Sequence, residues 1–64
     1  MTPTGADLSS MAATVDELTV RLGPIAGVYE AAHRDDLVAE LHEVERALNT
    51  ARRRLLRLVA ADEG

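Results

Sequence analysis

The stretch LVAELHEVERALNTARRRLLRL, residues 37–58, carries apolar residues in alternating steps of four and three. Such steps keep apolar side chains on one side of an α-helix and are typical of a coiled-coil seam. A helix over residues 35–60 would be about 39 Å long at 1.5 Å per residue. We therefore predict a long amphipathic C-terminal helix that associates with another helix. The predicted seam consists of Leu37, Leu41, Val44, Leu48, Ala51, Leu55 and Leu58.

The composition limits what can stabilise a fold of this size. The chain has 64 residues, no cysteine and a single aromatic residue, Tyr29. Chains this short bury about 60% of their unfolded surface and usually need a disulfide, a metal or a second subunit. The absence of cysteine excludes disulfides and thiolate metal sites, so association is the remaining source of buried area. We expect an all-α protein that forms a homodimer or a larger helical bundle.

The N-terminal half carries a second apolar pattern. Leu8, Met11, Val15, Leu18 and Leu22 recur in steps of three and four, which predicts a shorter helix. Asp7 is a candidate N-cap, and the capping-box spacing at Thr14 and Glu17 offers a later start. Glycine is favoured just past a helix and proline in the first turn of the next, so a turn is predicted at Gly23–Pro24.

The pattern changes phase at residues 33–36, where Asp35 or Asp36 could cap a new helix. The residues leave two interpretations open, one helix over 24–61 or two helices separated by a break at 33–36. Both interpretations give a helical hairpin with a long C-terminal helix. The predicted organisation is a disordered lead over residues 1–6 and one helical domain over 7–64, with a helix over about 7–22, the turn at Gly23–Pro24 and helical structure over 24–61.

Three consecutive arginines, Arg52, Arg53 and Arg54, lie inside the leucine run. Acidic residues precede them on the same helix, an order that the helix dipole favours. Intrahelical ion pairs need an acid three or four residues before a base, however, and only Glu43 before Arg46 has this spacing well. We therefore predict that the three arginines meet a partner outside their own helix and belong to the interface.

Three kinds of partner are compatible with this arginine cluster: a second copy of the chain, an acidic helix of another protein, or phosphate. An antiparallel copy with Leu48 opposite Ala51 places Glu45 beside Arg52, whereas a parallel copy brings Glu40 close to another Glu45. The charges therefore favour antiparallel self-association. The net charge of −4 and the absence of lysine argue against nucleic acid.

Residues that could bind a metal are sparse. Glu30 and His33 are three residues apart, the spacing found in di-iron carboxylate bundles, and a turn at Gly23–Pro24 would bring Glu17 towards Glu30. His42 with Glu45 repeats the pair more weakly. Such pairs are common on solvated helix faces, so we expect no metal and no other cofactor.

Signals for catalysis, membrane insertion and export are not apparent in the sequence. There is no glycine-rich phosphate loop and no nucleophile with a base at diagnostic spacing, so we expect no enzymatic activity. No apolar run approaches the ~18–20 residues of a membrane span, and the first ten residues lack the pattern of a signal peptide. We expect a cytoplasmic protein without membrane contact.

Residues 37–58 resemble the coiled-coil docking helix at the N-terminus of actinobacterial modular polyketide synthases. The match rests on Leu37, Leu41, Val44 and Leu48, followed by the run Arg52–Leu55, and covers about a third of the chain. The resemblance implies a parallel dimer of this helix that receives an acidic helix from an upstream synthase. It also implies that the three arginines read the charge of that partner.

These observations predict a non-enzymatic protein–protein interaction, docking or oligomerisation module that acts through an amphipathic coiled-coil helix. One alternative is a small regulator of the antitoxin or anti-sigma type, which would sequester a partner protein through acidic residues 35–45. A second alternative is a carboxylate–histidine metal-binding bundle. The predicted interface comprises Leu37, Leu41, Val44, Leu48, Ala51, Leu55, Leu58, Arg52, Arg53 and Arg54.

Overall fold

A computed structural model describes residues 2–63, except for the side chain of Glu63, and consists of two helices. Helix α1 is Pro3–Ala31 and helix α2 is Asp35–Glu63, each 29 residues long. They pack antiparallel, so that the Thr2 hydroxyl donates a hydrogen bond to the Asp62 carboxylate at the open end. The predicted all-α helical hairpin with a long C-terminal helix is confirmed.

Helix α1 begins earlier than the sequence analysis predicted. Thr2 is its N-cap, and the Thr2 Oγ1 atom accepts a 2.9 Å hydrogen bond from the backbone N–H of Gly5. Pro3 occupies the first helical position, where its missing N–H costs nothing. The prediction of a disordered lead is therefore wrong for residues 3–6, and the predicted start at Asp7 is wrong as well. Met1 of that lead and Gly64 of the predicted domain lie outside the described residues.

The predicted turn at Gly23–Pro24 is also wrong, because α1 continues through Pro24. A proline inside a helix removes one backbone hydrogen bond and costs about 3 kcal/mol or more. Leu22 and Ala26, on either side of this point, are both half-buried in the hairpin. Packing of α1 along α2 on both sides of Pro24 offsets the cost, so tertiary contact overrides the local signal.

The two helices meet at a corner formed by residues 32–34. His33 has a positive φ of 57°. The backbone N–H of His33 donates to the carbonyl of Glu30 at 3.1 Å, and that of Arg34 donates to the carbonyl of Tyr29 at 3.0 Å. These two bonds form a Schellman motif, with histidine at the position that usually holds glycine. Of the two interpretations for residues 24–61, the structure shows the break.

The core between the helices is one layer thick. The buried hydrophobic residues are Ala12, Leu41 and Val59, and no described side chain is fully buried. Apart from Ser9, Leu37 and Thr50, the buried and half-buried positions recur in steps of three and four along both helices, so that one side of each helix faces the other. The inner row of α1 is Gly5, Leu8, Ala12, Val15, Thr19, Leu22, Ala26 and Tyr29, and that of α2 is Val38, Leu41, Glu45, Leu48, Arg52, Leu55 and Val59.

Candidate interaction surface

The apolar residues predicted as one seam on α2 occupy two different environments. Leu41, Leu48 and Leu55 belong to the inner row that meets α1, and Leu41 is buried there. Val44 and Leu58 lie to one side of that row and remain 41% and 53% exposed. Leu37, which is half-buried, and the exposed Ala51 share their seven-residue spacing. Helix α1 therefore covers only part of the apolar surface of α2.

Helix α1 has a matching exposed row. Met11, Leu18 and Ile25 are spaced by seven residues and are 54%, 41% and 41% exposed. In an antiparallel pair, equivalent flanks of the two helices lie on the same side, so the two rows form one continuous surface. We call it the apolar face, and it consists of Met11, Leu18, Ile25, Leu37, Val44, Ala51 and Leu58.

The opposite side of the hairpin is polar. Asp16, Glu30, His42 and Asn49 are exposed there, and Leu56 is 42% exposed. Val20, one turn from both Asp16 and Gly23, is 71% exposed at the edge of this side. We call it the polar face, and it consists of Ser9, Asp16, Gly23, Glu30, His42, Asn49 and Leu56. An open notch in this face is lined by residues of both helices, namely Ser9, Ala12, Ala13, Asp16, Arg52 and Leu56.

The three consecutive arginines point in different directions and do not form one patch. Arg52 belongs to the inner row, where its Nε atom is buried without a hydrogen-bond partner. Arg53 is exposed and reaches the Thr50 hydroxyl at 3.4 Å. Arg54 is exposed beside Ala51, at the edge of the apolar face. Successive helical residues are about 100° apart, so a run of three cannot share a face.

Ion pairs in the described part of the chain are few and local. The Arg46 guanidinium lies 2.6 Å from Glu43, the one pair that the spacing predicted well. At the corner, Arg34 holds the Asp36 carboxylate at 3.1 Å. This guanidinium lowers the pKa of Asp36, against a smaller opposing effect of burial, and the Leu37 backbone N–H adds to the lowering.

The inner row of α2 contains charged residues, whereas its exposed row does not. Glu45 and Arg52 are half-buried at positions that face α1. Among the side chains that the structure describes, neither makes an ion pair. Leu37, Val44 and Leu58, by contrast, have no polar group at all. Two charged side chains are thus half-covered by α1 while Val44 and Leu58 remain 41% and 53% exposed, an arrangement that an isolated hairpin would not favour.

The geometry expected for a metal site does not form. Glu17 and Glu30 both lie on α1, thirteen residues or about 20 Å apart, because no turn occurs at Gly23–Pro24. His33 lies at the corner with a positive φ, so it does not continue the helical spacing from Glu30. Within residues 2–63 no group of three or more histidine, aspartate or glutamate side chains could hold a metal ion.

Further comparisons do not place the chain in a known group. Neither helix, over the residues described, is long and apolar enough to span a membrane. A scan of protein-family models and searches of curated proteins and of solved structures return no match.

The apolar face was partly visible in the sequence. The residues of α2 that form it all belong to the predicted seam, whereas Val38, Glu45 and Val59, which face α1, were not among the predicted interface residues. Met11 and Leu18 were recognised as apolar positions of the N-terminal helix, but Ile25 was placed beyond the predicted turn. The seven-residue spacing of Met11, Leu18 and Ile25 was the available signal.

Proposed function

We propose that this protein is a non-enzymatic protein–protein interaction module whose binding surface is the apolar face. One observation carries the proposal: five large apolar side chains on one side of the hairpin are 41–54% exposed, namely Met11, Leu18, Ile25, Val44 and Leu58. Contiguous apolar surface of this kind marks interaction sites on soluble proteins. Among the seven residues of the polar face only Leu56 is comparable, and Val20 is exposed at its edge.

The size of the surface supports the proposal. The chain exposes 4652 Å², whereas a compact monomer of 6.9 kDa exposes about 4,000 Å². The Cα envelope measures 47 × 15 × 9 Å, so the flat projection of each broad side is about 700 Å². A standard interface buries about 800 Å² per partner. One broad side of the hairpin is thus close to the size of a specific interface.

Charged residues at the edge of the apolar face complete the arrangement of a typical interface. Glu40 lies one turn from both Leu37 and Val44, and Arg54 lies one turn from both Ala51 and Leu58. An apolar centre with a polar rim is the usual anatomy of protein interfaces. Rim charges contribute orientation and partner choice more than affinity. Of the three consecutive arginines, Arg54 is therefore the one that we assign to the rim.

Site-specific photo-cross-linking in the native host tests the proposal. A photoreactive phenylalanine at Val44 would report on the apolar face, and the same residue at Asn49 would report on the polar face at a similar height along α2. We expect protein adducts, of the chain itself or of another protein, from position 44 and few from position 49. Equal labelling at the two positions, or none at position 44, would contradict the proposal.

A further inference from the structure

We infer that the occupant of the apolar face is a second copy of this chain, bound by two-fold symmetry into an antiparallel four-helix bundle. In this bundle α2 lies antiparallel to the partner's α2, and α1 lies antiparallel to the partner's α1. The inference rests on the proposed function, since it names the partner of the surface assigned above. Symmetry, charge and area each support it.

The apolar face matches itself under a two-fold rotation. A rotation axis that crosses α2 midway between Val44 and Ala51 places Val44 opposite the partner's Ala51 and Leu37 opposite the partner's Leu58. Both helices have 29 residues and are joined at His33, so residues equally far from His33 face each other. Leu18 is fifteen residues before His33 and therefore lies at the height of residue 48. The same axis thus passes beside Leu18, with Met11 opposite the partner's Ile25.

The charges at the edge of the face fit this rotation. Glu40 comes within one residue of the partner's Arg54, about 1.5 Å along the helix, and the symmetry creates this pair twice. More generally, the first half of α2 is net acidic and the second half net basic. Residues 35–48 carry Asp35, Asp36, Glu40, Glu43 and Glu45 against Arg46, and residues 50–63 carry Arg52, Arg53, Arg54 and Arg57 against Asp62 and Glu63. Antiparallel helices bring opposite halves together. A parallel arrangement would bring like charges together, which is destabilising.

The area is sufficient for a stable dimer. A dimer in which the whole projected side of about 700 Å² is covered on each copy would bury about 1,400 Å² in total, within the range of specific interfaces. The bundle also supplies what the hairpin lacks, since Leu41, Leu48 and Leu55 would then lie between four helices instead of two. Small chains commonly obtain a sufficient core in this way.

The chain contains no cysteine, so single cysteines can be introduced without background reaction. Leu37→Cys and Leu58→Cys chains, mixed, unfolded and refolded together, would be treated with a short bismaleimide, with one chain carrying a mass tag. We expect efficient cross-links between the two variants. Leu58→Cys alone should cross-link at least tenfold less, because the two copies of residue 58 lie about 31 Å apart along an antiparallel bundle.

Two control variants test which face forms the interface and where the two-fold axis lies. Asn49→Cys, at the height of the two-fold axis but on the polar face, should give no cross-link, whereas Leu18→Cys, beside the axis, should cross-link to its own copy. Efficient cross-linking of Leu58→Cys alone would replace the antiparallel bundle with a parallel one. Efficient cross-linking of Asn49→Cys would place the interface on the wrong face. Either result overturns the inference.

The outcome separates this inference from the proposed function. A chain that sediments as a monomer at high micromolar concentration, and gives none of these cross-links, refutes the second copy as the partner. If position 44 then still forms adducts with another protein in the native host, the interaction module remains and only the partner changes. If position 44 forms no adduct either, the apolar face has no protein partner, and both proposals fail.

Discussion

The apolar and polar faces of the hairpin are built from the same two helices at the same heights, yet they differ in chemistry. Five of the seven residues of the apolar face are large apolar side chains that are at least 41% exposed. On the polar face only Leu56 is of this kind. Both faces lie beside the same one-layer core. The apolar side chains of the two helices therefore extend beyond the surface where the helices contact each other.

The apolar stripe of α2 is wider than one neighbouring helix can cover. Residues that face α1 include Glu45 and Arg52, whereas the row containing Val44 and Leu58 stays exposed. A helix at the edge of a two-helix pair needs one apolar stripe, but a helix inside a bundle contacts two neighbours and needs a wider one. The apolar face has the wide apolar pattern of a helix inside a bundle, whereas the polar face has the pattern of a simple two-helix pair.

The largest effect should come from placing charge on the apolar face. Leu18→Glu combined with Val44→Glu should weaken self-association more than 100-fold, because carboxylates would be buried without partners. His42→Glu combined with Asn49→Glu adds the same charge to the polar face and should leave the dissociation constant within about threefold. Sedimentation equilibrium measures both. If the two double variants behave alike, the two faces are not functionally different.

A substitution that lies outside both faces should change the stability of the helix but should not change which face associates. Pro24 lies on the outer side of α1, and Pro24→Ala restores a backbone hydrogen bond, so the free energy of unfolding should rise by up to about 3 kcal/mol. Thermal and urea unfolding, monitored by circular dichroism, would measure the gain. A loss of stability would mean that the proline shapes α1 for its contact with α2.

The two leucines at positions 56 and 58 provide a matched pair. In the hairpin, Leu56 is 42% exposed and Leu58 is 53% exposed. From burial within one chain alone, Leu56→Ala should therefore lower the free energy of unfolding slightly more than Leu58→Ala. The bundle predicts the opposite, because Leu58 becomes buried against the partner's Leu37. We expect Leu58→Ala to weaken association by about 1–2 kcal/mol more than Leu56→Ala, from the apolar area lost. The reverse order in sedimentation measurements would contradict the bundle.

The corner should respond to a change that frees its backbone. His33 has a positive φ of 57°, a region that glycine adopts without strain. His33→Gly should raise the free energy of unfolding by about 1 kcal/mol, while His33→Ala should not raise it. Both substitutions lie away from the two faces, so neither should change the dissociation constant. Urea unfolding compares the two variants, and equal stabilities would argue against strain at the corner.

The smallest expected effect comes from the ion pair at the corner. Arg34 lowers the pKa of Asp36, so the pair stabilises the folded chain above the pKa of the unfolded carboxyl, about 3.9, and this contribution is lost as the pH falls through the lower folded value. Asp36→Asn should therefore lower the melting temperature slightly at pH 7 and leave it unchanged at pH 2. A similar decrease at both pH values would show that the carboxylate charge is not responsible.

Much of the fold follows from the sequence, because the alternating steps of three and four require a helix and a partner. They run through Leu41, Val44, Leu48, Ala51 and Leu55. The start of α1 could also have been found, since Thr2 before Pro3 is a strong N-cap pair. The continuation through Pro24 could not, because it depends on contact with α2. The position of the corner was open for the same reason: His33 carries no glycine-like signal, and only packing selects it.

The interface residues were predictable only as a set. The spacing identifies the apolar residues of α2 but not which of them α1 covers, because Val44 and Leu48 are equivalent in an isolated helix. The structure assigns Leu48 to the inner row and Val44 to the apolar face. The prediction that three consecutive arginines act together neglected the 100° step between neighbours, which separates Arg52 from Arg54.

The mass of the unmodified chain in solution shows whether a second copy covers the apolar face. Sedimentation equilibrium from low to high micromolar concentration should show a reversible two-species equilibrium that reaches twice the chain mass. Helicity and melting temperature should rise with concentration over the same range, since the partner stabilises the fold by mass action. A single species of one chain mass at every concentration, with full and concentration-independent helicity, would contradict the claim that a second copy covers the apolar face.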